Sequence, residues 1–450
     1  MIYTFLANQA SDDPIYVQLY QYIRQMIIHQ DILTGEKLPS IREASHHLKL
    51  SKTTIESAYF QLATEGYIES IPKKGYFVVA LHDYIFKNAP EKPFTHTGPT
   101  IEKQTLHYIN EDVHHGSVDW HAWKRIYTRI LLDDPDKVFS HGSYSGESSL
   151  KKSISHFINT HRGAKTHPQQ ILIGAGIQYL IGILASILRK EIGTVALEHP
   201  GYDKAKYIFE DYGFHTIDIP VSEEGLEIDQ LILSSARIVY VSPSHQFPTG
   251  SLMPINKRLQ LLAWAQNNRA YILEDDYDSL IRFESKPVPC LQGLDQNDRV
   301  IYLGSFSKLI SPALRISYLV LPNRLLPQYF QIAHRYTQTA SKIEQLTLST
   351  FIDEGHFDKH LRKIKRIYHK KKDLLKKYLE ILWGHHIELI SADSGLHAVV
   401  RLKCYHDASY IYKHFNQHGL SIAIIKDNHP WYDLSLSYSG VPFEWLLNNS

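Results

Sequence analysis

Val300-Ile301-Tyr302-Leu303-Gly304-Ser305-Phe306-Ser307-Lys308 decides how the larger part of this chain is read. Four apolar residues in a row, closed by Gly304, read as a buried strand. Lys308 follows it among small hydroxylic residues. An amine held at the end of a buried strand can condense with an aldehyde, and Ser305 and Ser307 beside it can donate to a phosphate. Arg315, seven residues beyond Lys308, can return to the same anion as a two-pronged clamp. Alone, the pattern equally describes a lysine on a surface loop.

Three upstream segments give it context. Tyr271-Ile272-Leu273-Glu274-Asp275-Asp276-Tyr277 sets carboxylates at the end of a second apolar run. A buried carboxylate is costly without a cationic partner. A protonated pyridine nitrogen is such a partner, and the pairing turns the ring into an electron sink. Ile173-Gly174-Ala175-Gly176-Ile177-Gln178 runs from strand through a small-residue turn into a helix, where the amides of Ala175, Gly176 and Ile177 form a phosphate cradle. Pro200-Gly201-Tyr202 places an aromatic after the strand Thr194 to Leu197, suited to stacking on a flat ring. Taken singly, these read as acidic loop residues, a packing turn and a core tyrosine.

Strand-like runs (Gln170 to Ile173, Thr194 to Leu197, Ile238 to Val241, Ala270 to Leu273 and Val300 to Leu303) alternate with helical stretches from about residue 104 onward. Such alternation implies an α/β domain around a mostly parallel sheet. Residues 81–103 carry Pro90, Pro93, Gly98 and Pro99 with little periodicity and read as a linker. The chain of 450 residues therefore divides into a small unit at 11–80, this linker, and a large unit at 104–450. A net charge of +1 excludes a wholesale polybasic protein but not a local DNA-binding face. Cys290 and Cys404 lie far apart, a pattern of a reducing cytosol. Met1 to Asp13 has no signal-peptide pattern, and the most apolar stretch, Tyr179 to Leu188, is too short to cross a bilayer. A cytoplasmic protein without a membrane partner is expected.

In the small unit, Ile15, Leu19, Tyr22, Ile23 and Met26 recur at helical spacing. Ser40 with Glu43 makes a capping box that starts a second helix to about Leu48. Ser51 caps a third helix to about Glu65, and Gly66 stops it. Tyr67 to Ile71, the turn Pro72-Lys73-Lys74-Gly75, and Tyr76 to Val79 then read as a hairpin with a basic tip. Three helices and a basic hairpin make a winged helix-turn-helix. The hydroxyls and cation of Ser51-Lys52-Thr53-Thr54 suit phosphates and base edges in a major groove, and Lys73 and Lys74 suit the backbone or minor groove. Acidic residues slightly outnumber Lys and Arg between Ser11 and Ala80, so only a clustered face favours DNA.

Pro14 to Leu19, Leu38 to Glu43, Ser51 to Thr54, Ala58-Tyr59 and Glu65 to Ile68, in that order, resemble the GntR family of bacterial repressors and activators. The resemblance carries contact with double-stranded operator DNA onto Arg42, Lys52, Thr53 and the wing lysines. Lys52 stands where the family more often has Arg, which keeps the charge but loses a bidentate fork for guanine. The large unit resembles fold-type I (class I/II) aminotransferases, and the whole chain resembles the MocR subgroup of GntR regulators, which fuses the two. The hallmarks are His114-His115-Gly116, Gly142 to Leu150, Glu198 to Tyr202, Ser242 to Gly250, Glu274 to Ser279 and Phe306-Ser307-Lys308.

This resemblance implies pyridoxal 5'-phosphate (PLP) as cofactor, with Lys308 as Schiff-base lysine, Asp275 as partner of the pyridine nitrogen and Tyr277 as partner of the ring hydroxyl. Tyr202 stacks on the ring, while Arg315 and Ser305 bind phosphate. It also implies a homodimer that responds to a small amino compound or to PLP itself. Two departures favour a regulator over its alternative, an active aminotransferase carrying a DNA-binding unit. Phe247 stands where aminotransferases usually have an Asn for the ring hydroxyl. The run Asp433-Leu434-Ser435-Leu436-Ser437-Tyr438 lacks the Arg that grips a substrate carboxylate. Lys204, two residues after Tyr202, is a substitute anchor or an ordinary solvated lysine. At most weak transaminase activity is expected. A large domain that no longer binds PLP is a further alternative. The basic stretch Lys359 to Lys377 reads as one solvated helix face, and the histidine pairs His46-His47, His114-His115 and His385-His386 as surface or loop residues without a metal pattern.

Overall fold

The computed structural model describes residues 4–8, 11–81, 117–283, 288–391 and 394–449. The expected linker, apart from Leu81, and the His114-His115-Gly116 hallmark lie outside these residues. Two compact units result, Met1–Gln104 and Thr105–Ser450.

In the first unit, helix α1 (Ile15–Ile28) buries Leu19, Ile23 and Ile27 against Ile55, Ala58, Tyr59 and Leu62 of α3 (Lys52–Thr64). Ile15, the start of the apolar pattern, is exposed. Between them α2 (Ile41–Leu48) begins at the capping box: Ser40 Oγ accepts from the Glu43 amide at 3.3 Å, and the Glu43 carboxylate accepts from the Ser40 amide at 2.8 Å. Ser51 caps α3 through the Thr54 amide at 3.1 Å. Strands β1 (Ile68–Ile71) and β2 (Gly75–Val78) pair antiparallel. Their turn places Lys73 in the left-handed region, at φ 63°. β2 is tied back to the chain before α2 by Leu38 N–H donating to the Tyr76 carbonyl at 2.9 Å. Three helices and an anchored wing result.

The second unit is built on an eight-stranded sheet. Its strands are β3 (Ile171–Gly174), β4 (Thr194–His199), β5 (His215–Ser222), β6 (Gly225–Leu226), β7 (Ile238–Val241), β8 (Tyr271–Asp276), β9 (Val300–Ser305) and β10 (Ser317–Val320), in the order β3-β10-β9-β8-β7-β4-β5-β6. Only β10 and β6 run against their neighbours. Tyr271 and Leu273 of β8 enter one apolar cluster and Ile272 another. Burial on both faces is why these strands read as unbroken apolar runs. A smaller antiparallel sheet follows: β11 (Ile387–Ser391), β12 (His397–Lys403), β13 (Ile422–Asn428) and β14 (Trp431–Ser437), in the order β11-β12-β14-β13.

The basic stretch lies in the helix His356–Trp383, which buries Leu361, Ile364, Leu374 and Leu375 as its stripe requires. Lys371 departs from the solvated-face expectation. It is 1% exposed, donates to the Ser439 carbonyl at 2.6 Å, and burial pushes its ammonium down to about 8. Its place in the stripe is fixed by Ile364 and Leu375 on either side, so the helix cannot turn it outward. Among the described residues, no helix is long and apolar enough to cross a membrane.

Candidate functional site

β3, β4, β7, β8 and β9 all run the same way, so their C-terminal ends share one edge of the sheet. In open α/β sheets that edge is where ligands bind. The turn Gly174 to Ile177 leaves β3 there, Tyr202 follows β4, the segment Ser242–Gly250 follows β7, Asp275 and Asp276 end β8 with Tyr277 just beyond, and Ser305 to Lys308 leaves β9. Segments distant in sequence thus converge.

Asp275 is buried, 6% exposed. Tyr240, on the neighbouring β7, donates to its Oδ2, while Oδ1 is buried with no hydrogen-bond partner. Burial pushes the carboxyl up to about 7, against the pull of the Tyr240 hydrogen bond and helped by the nearby charges of Asp276, Asp278 and Glu274. The ring of Tyr202 stacks on Tyr240 at 6.3 Å between centroids. In register, Asp275 lies beside Leu303 of β9, one strand from the segment that carries the half-buried Lys308.

The expected anion cradle is assembled from the other side. Gly174 and Ser305 both lie opposite Ser317 of β10, so the three form a row at the strand ends. Ser317 Oγ donates to Ser305 Oγ at 2.9 Å, and Ser305 Oγ accepts from the Ser307 amide at 3.1 Å. Arg315 is held in the left-handed region, φ 51°, a conformation that costs a non-glycine residue about 1 kcal/mol or more. Its guanidinium donates to the Ala175 carbonyl at 2.9 Å. A Cβ on Gly176 would collide with that guanidinium, so glycine there makes room for the clamp. One expectation changes: the Ala175 amide donates to Thr339 Oγ1 and the Gly176 amide to the Gly174 carbonyl, each at 2.9 Å. Neither presents an open donor. Of the three expected backbone donors, that leaves the Ile177 amide, on the first turn of the helix Ile177–Leu188. Lys204 sits half-buried on the first turn of the helix Asp203–Asp211.

Other residues of the site carried no assignment from sequence. His245 Nδ1 lies 2.8 and 2.9 Å from the two Asp278 oxygens and 3.1 Å from the Tyr277 hydroxyl. His397, first residue of β12, stacks on His245 at 4.7 Å and meets Phe247 edge-on at 5.7 Å. Ligand atoms of His245, Asp278 and His397 lie within 4.8 Å of one another. The two imidazoles, however, are 27° from parallel and stacked, so their in-plane lone pairs run side by side instead of converging as a metal requires. Glu198 is also buried beneath the site. Its Oε2 accepts from the Ser242 amide at 3.1 Å, its Oε1 has no partner, and burial pushes it up to about 8. Arg162, paired with Asp276 at 2.6 Å and donating to Ser244 Oγ at 2.7 Å, ties the β7 loop to β8 from below.

In the first unit, Arg42, Ser51, Lys52, Thr53, Lys73 and Lys74 are exposed and Thr54 half-buried. Arg42 and Lys52 lie in the first turns of α2 and α3, and the lysines at the wing tip. Ser51 Oγ also bonds the hydroxyls of Thr53 at 2.8 Å and Thr54 at 2.7 Å, which fixes all three side chains around the start of α3.

Comparison with known proteins agrees with this division. Residues 15–78 match the bacterial regulatory proteins of the gntR family, and residues 116–429 match the aminotransferases of class I and II. The chain is 36% identical over 440 residues to the uncharacterized HTH-type transcriptional regulator YdeL of Bacillus subtilis, covering 97% of this chain and 92% of that protein. It is 29% identical to the probable rhizopine catabolism regulatory protein MocR of Rhizobium meliloti, over 88% of this chain and 83% of that one. Among solved structures, the kynurenine aminotransferase of Pyrococcus horikoshii, in complex with PMP, superposes with a TM-score of 0.66 at 21% identity, over 75% of this chain and 87% of that one. LysN, the α-aminoadipate aminotransferase of Thermus thermophilus, gives 0.65 at 23% identity, over 75% and 88%. The chain belongs to the MocR-type transcriptional regulators, in which a gntR-family helix-turn-helix unit precedes an aminotransferase class I and II domain.

Proposed function

We propose that this protein is a cytoplasmic, homodimeric, operator-binding regulator whose large unit holds PLP through Lys308 and there senses an amino compound or PLP itself. The observation that carries this reading is Asp275. A carboxyl with one buried, partnerless oxygen and a titration point pushed up to about 7 is stable as an anion only opposite a cation. A pyridinium nitrogen supplies that cation, one strand from an amine on Lys308. When bound, the cofactor supplies an aldehyde that exchanges between primary amines. Arg315, Ser305, Ser307 and the Ile177 amide face the phosphate. Ala175 holds Arg315 by its carbonyl, and Gly176 leaves it room. Tyr202 offers its ring to the cofactor face, and Tyr277 its hydroxyl to the ring oxygen.

Sensing is favoured over turnover by what surrounds the reacting position. Phe247 offers no hydrogen bond. Arg401, on β12, is paired with Asp433 of β14 at 2.7 and 3.0 Å, and Lys204, two residues after Tyr202, is the proposed cation for the far end of a bound amine. A consumed effector cannot hold a shifted population of conformers, so slow chemistry serves a sensor.

On the DNA side, Arg42, Ser51, Lys52, Thr53 and Thr54 enter the groove, and Lys73 and Lys74 follow the backbone. The test is operator affinity against salt. Lys52→Ala and Lys73→Ala should each lower the slope of log affinity against log salt by about one unit, with cofactor spectra unchanged. A double variant with wild-type operator affinity overturns the winged-helix contacts.

A further inference from the structure

His245 and Asp278 take no part in the reading above, yet both are almost fully enclosed, with side chains 2% and 0% exposed. Their placement is enforced from several sides. A Cβ on Gly395 would overlap His245 Cε1 and Asp278 Oδ2, so the turn before β12 presses backbone directly onto the pair. The imidazole has two nearly parallel ring neighbours, Tyr277 at 5.9 Å and 27° and His397 at 4.7 Å and 27°. Gln246 locks the loop that carries it: its Nε2 donates to the Pro200 carbonyl at 2.8 Å, and its Oε1 accepts from the Thr249 amide at 3.1 Å.

The hydrogen-bond logic follows from the donor inventory. A carboxylate accepts only, so Asp278 with both oxygens on Nδ1 fixes the tautomer that carries its proton there. The Tyr277 hydroxyl, 3.1 Å from the same nitrogen, then meets an N–H and not a lone pair. It accepts a share of that proton and turns its own hydrogen away from the imidazole. Without Asp278, the other tautomer would expose a lone pair at Nδ1 and draw the Tyr277 proton inward.

We propose that His245, fixed by Asp278, is a positioning residue that keeps Tyr277 a hydrogen-bond donor to the cofactor's ring hydroxyl, replacing the amide lost where Phe247 stands. This rests on the PLP reading. A donor at the ring oxygen stabilises its anion, so the neighbouring proton leaves at lower pH. The titratable groups facing the pair are Tyr277 and, from β12, His397; Asp275 and Tyr438 also feel the Asp278 charge.

The experiment reads the pH midpoint of the visible-band transition in the PLP-loaded full chain. Asp278→Asn should raise that midpoint by about one unit or more, the scale of one charge-assisted hydrogen bond. His245→Phe keeps a stacked ring but removes the N–H that occupies Asp278, which leaves the carboxylate as an acceptor for the Tyr277 proton. It should raise the midpoint in the same direction and covers the case in which Asp278→Asn fails to fold. Tyr277→Phe should raise it too. Adding Asp278→Asn to Tyr277→Phe should then raise it no further, because the carboxylate raises the midpoint only through the phenol, and loss of its direct charge near Asp275 acts in the opposite direction. In the cofactor-free protein, Asp278→Asn should also erase the downfield Nδ1 proton resonance of His245. A bound band whose midpoint ignores both single variants, or shifts that add in the double variant, overturns this inference alone. A wild-type protein that develops no visible band overturns it together with the PLP reading.

Discussion

Lys308→Ala is expected to abolish cofactor attachment outright while leaving a folded, DNA-binding protein. The lysine is half-buried three residues beyond β9, outside the core that Ile301 and Leu303 form on one face and Tyr302 on the other. Removing a partly exposed long side chain costs far less than a core truncation, which runs about 2–5 kcal/mol. Asp275, Arg315 and Ser305 keep their positions, so on the proposed reading PLP should still enter by its phosphate and ring nitrogen. What disappears is the bond to protein. Borohydride should fix the pyridoxyl group to wild type and not to the variant, and a Lys308→Ala protein that still carries a fixed group would assign the attachment to another lysine.

Asp275→Asn should move stability and cofactor affinity in opposite directions. In the folded protein burial holds the carboxyl up to about 7, whereas in the unfolded chain it titrates near about 4. Between those values the native state keeps a proton that the unfolded state has released. Stability is therefore fully present below about pH 4 and falls as pH rises through about 7. Asn carries no such dependence and still pairs with the Tyr240 hydroxyl. Urea midpoints of the cofactor-free proteins should accordingly be close near pH 4, with the variant about 2–4 kcal/mol more stable at pH 8. Glu198, pushed up to about 8 mainly by burial, adds a loss of the same sign to both proteins, smaller in the variant because the Asp275 charge that helps to raise it is gone. The same variant should bind PLP far more weakly, since no anion faces the ring nitrogen. Parallel pH profiles would mean that Asp275 is not held as a buried acid. A functional site that destabilises its own fold is the ordinary trade of activity against stability.

These residues were legible in the sequence for a physical reason. Strands buried on both faces appear as unbroken apolar runs, and a carboxylate or lysine at the end of such a run has few structural excuses. Caps are equally local, which is why Ser40, Glu43 and Ser51 announce two helices. What stayed hidden depends on long-range contacts. The Ala175 amide meets Thr339, 164 positions away, and the Gly176 amide the Gly174 carbonyl, so a turn that offers open amides by its own sequence has two already engaged. His245 sits in a quoted motif, but its pairing with Asp278 and stacking on His397 exist only once β7, β8 and β12 converge. Lys371 was assigned to water by residue type, although its spacing from Ile364 and Leu375 places it on the buried stripe. Residue type lost there to helical geometry.

The account stands most directly on the absorption spectrum of the purified wild-type chain after PLP is added and unbound cofactor removed, followed by a panel of amino compounds and a keto-acid acceptor. It predicts a retained visible band that one member of the panel shifts, with operator affinity changing alongside and no keto acid accumulating over many protein equivalents. A protein left colourless would remove the cofactor from the account. Sustained turnover at ordinary enzyme rates, roughly 1–10³ per second, would make the large unit an aminotransferase that carries a DNA-binding domain.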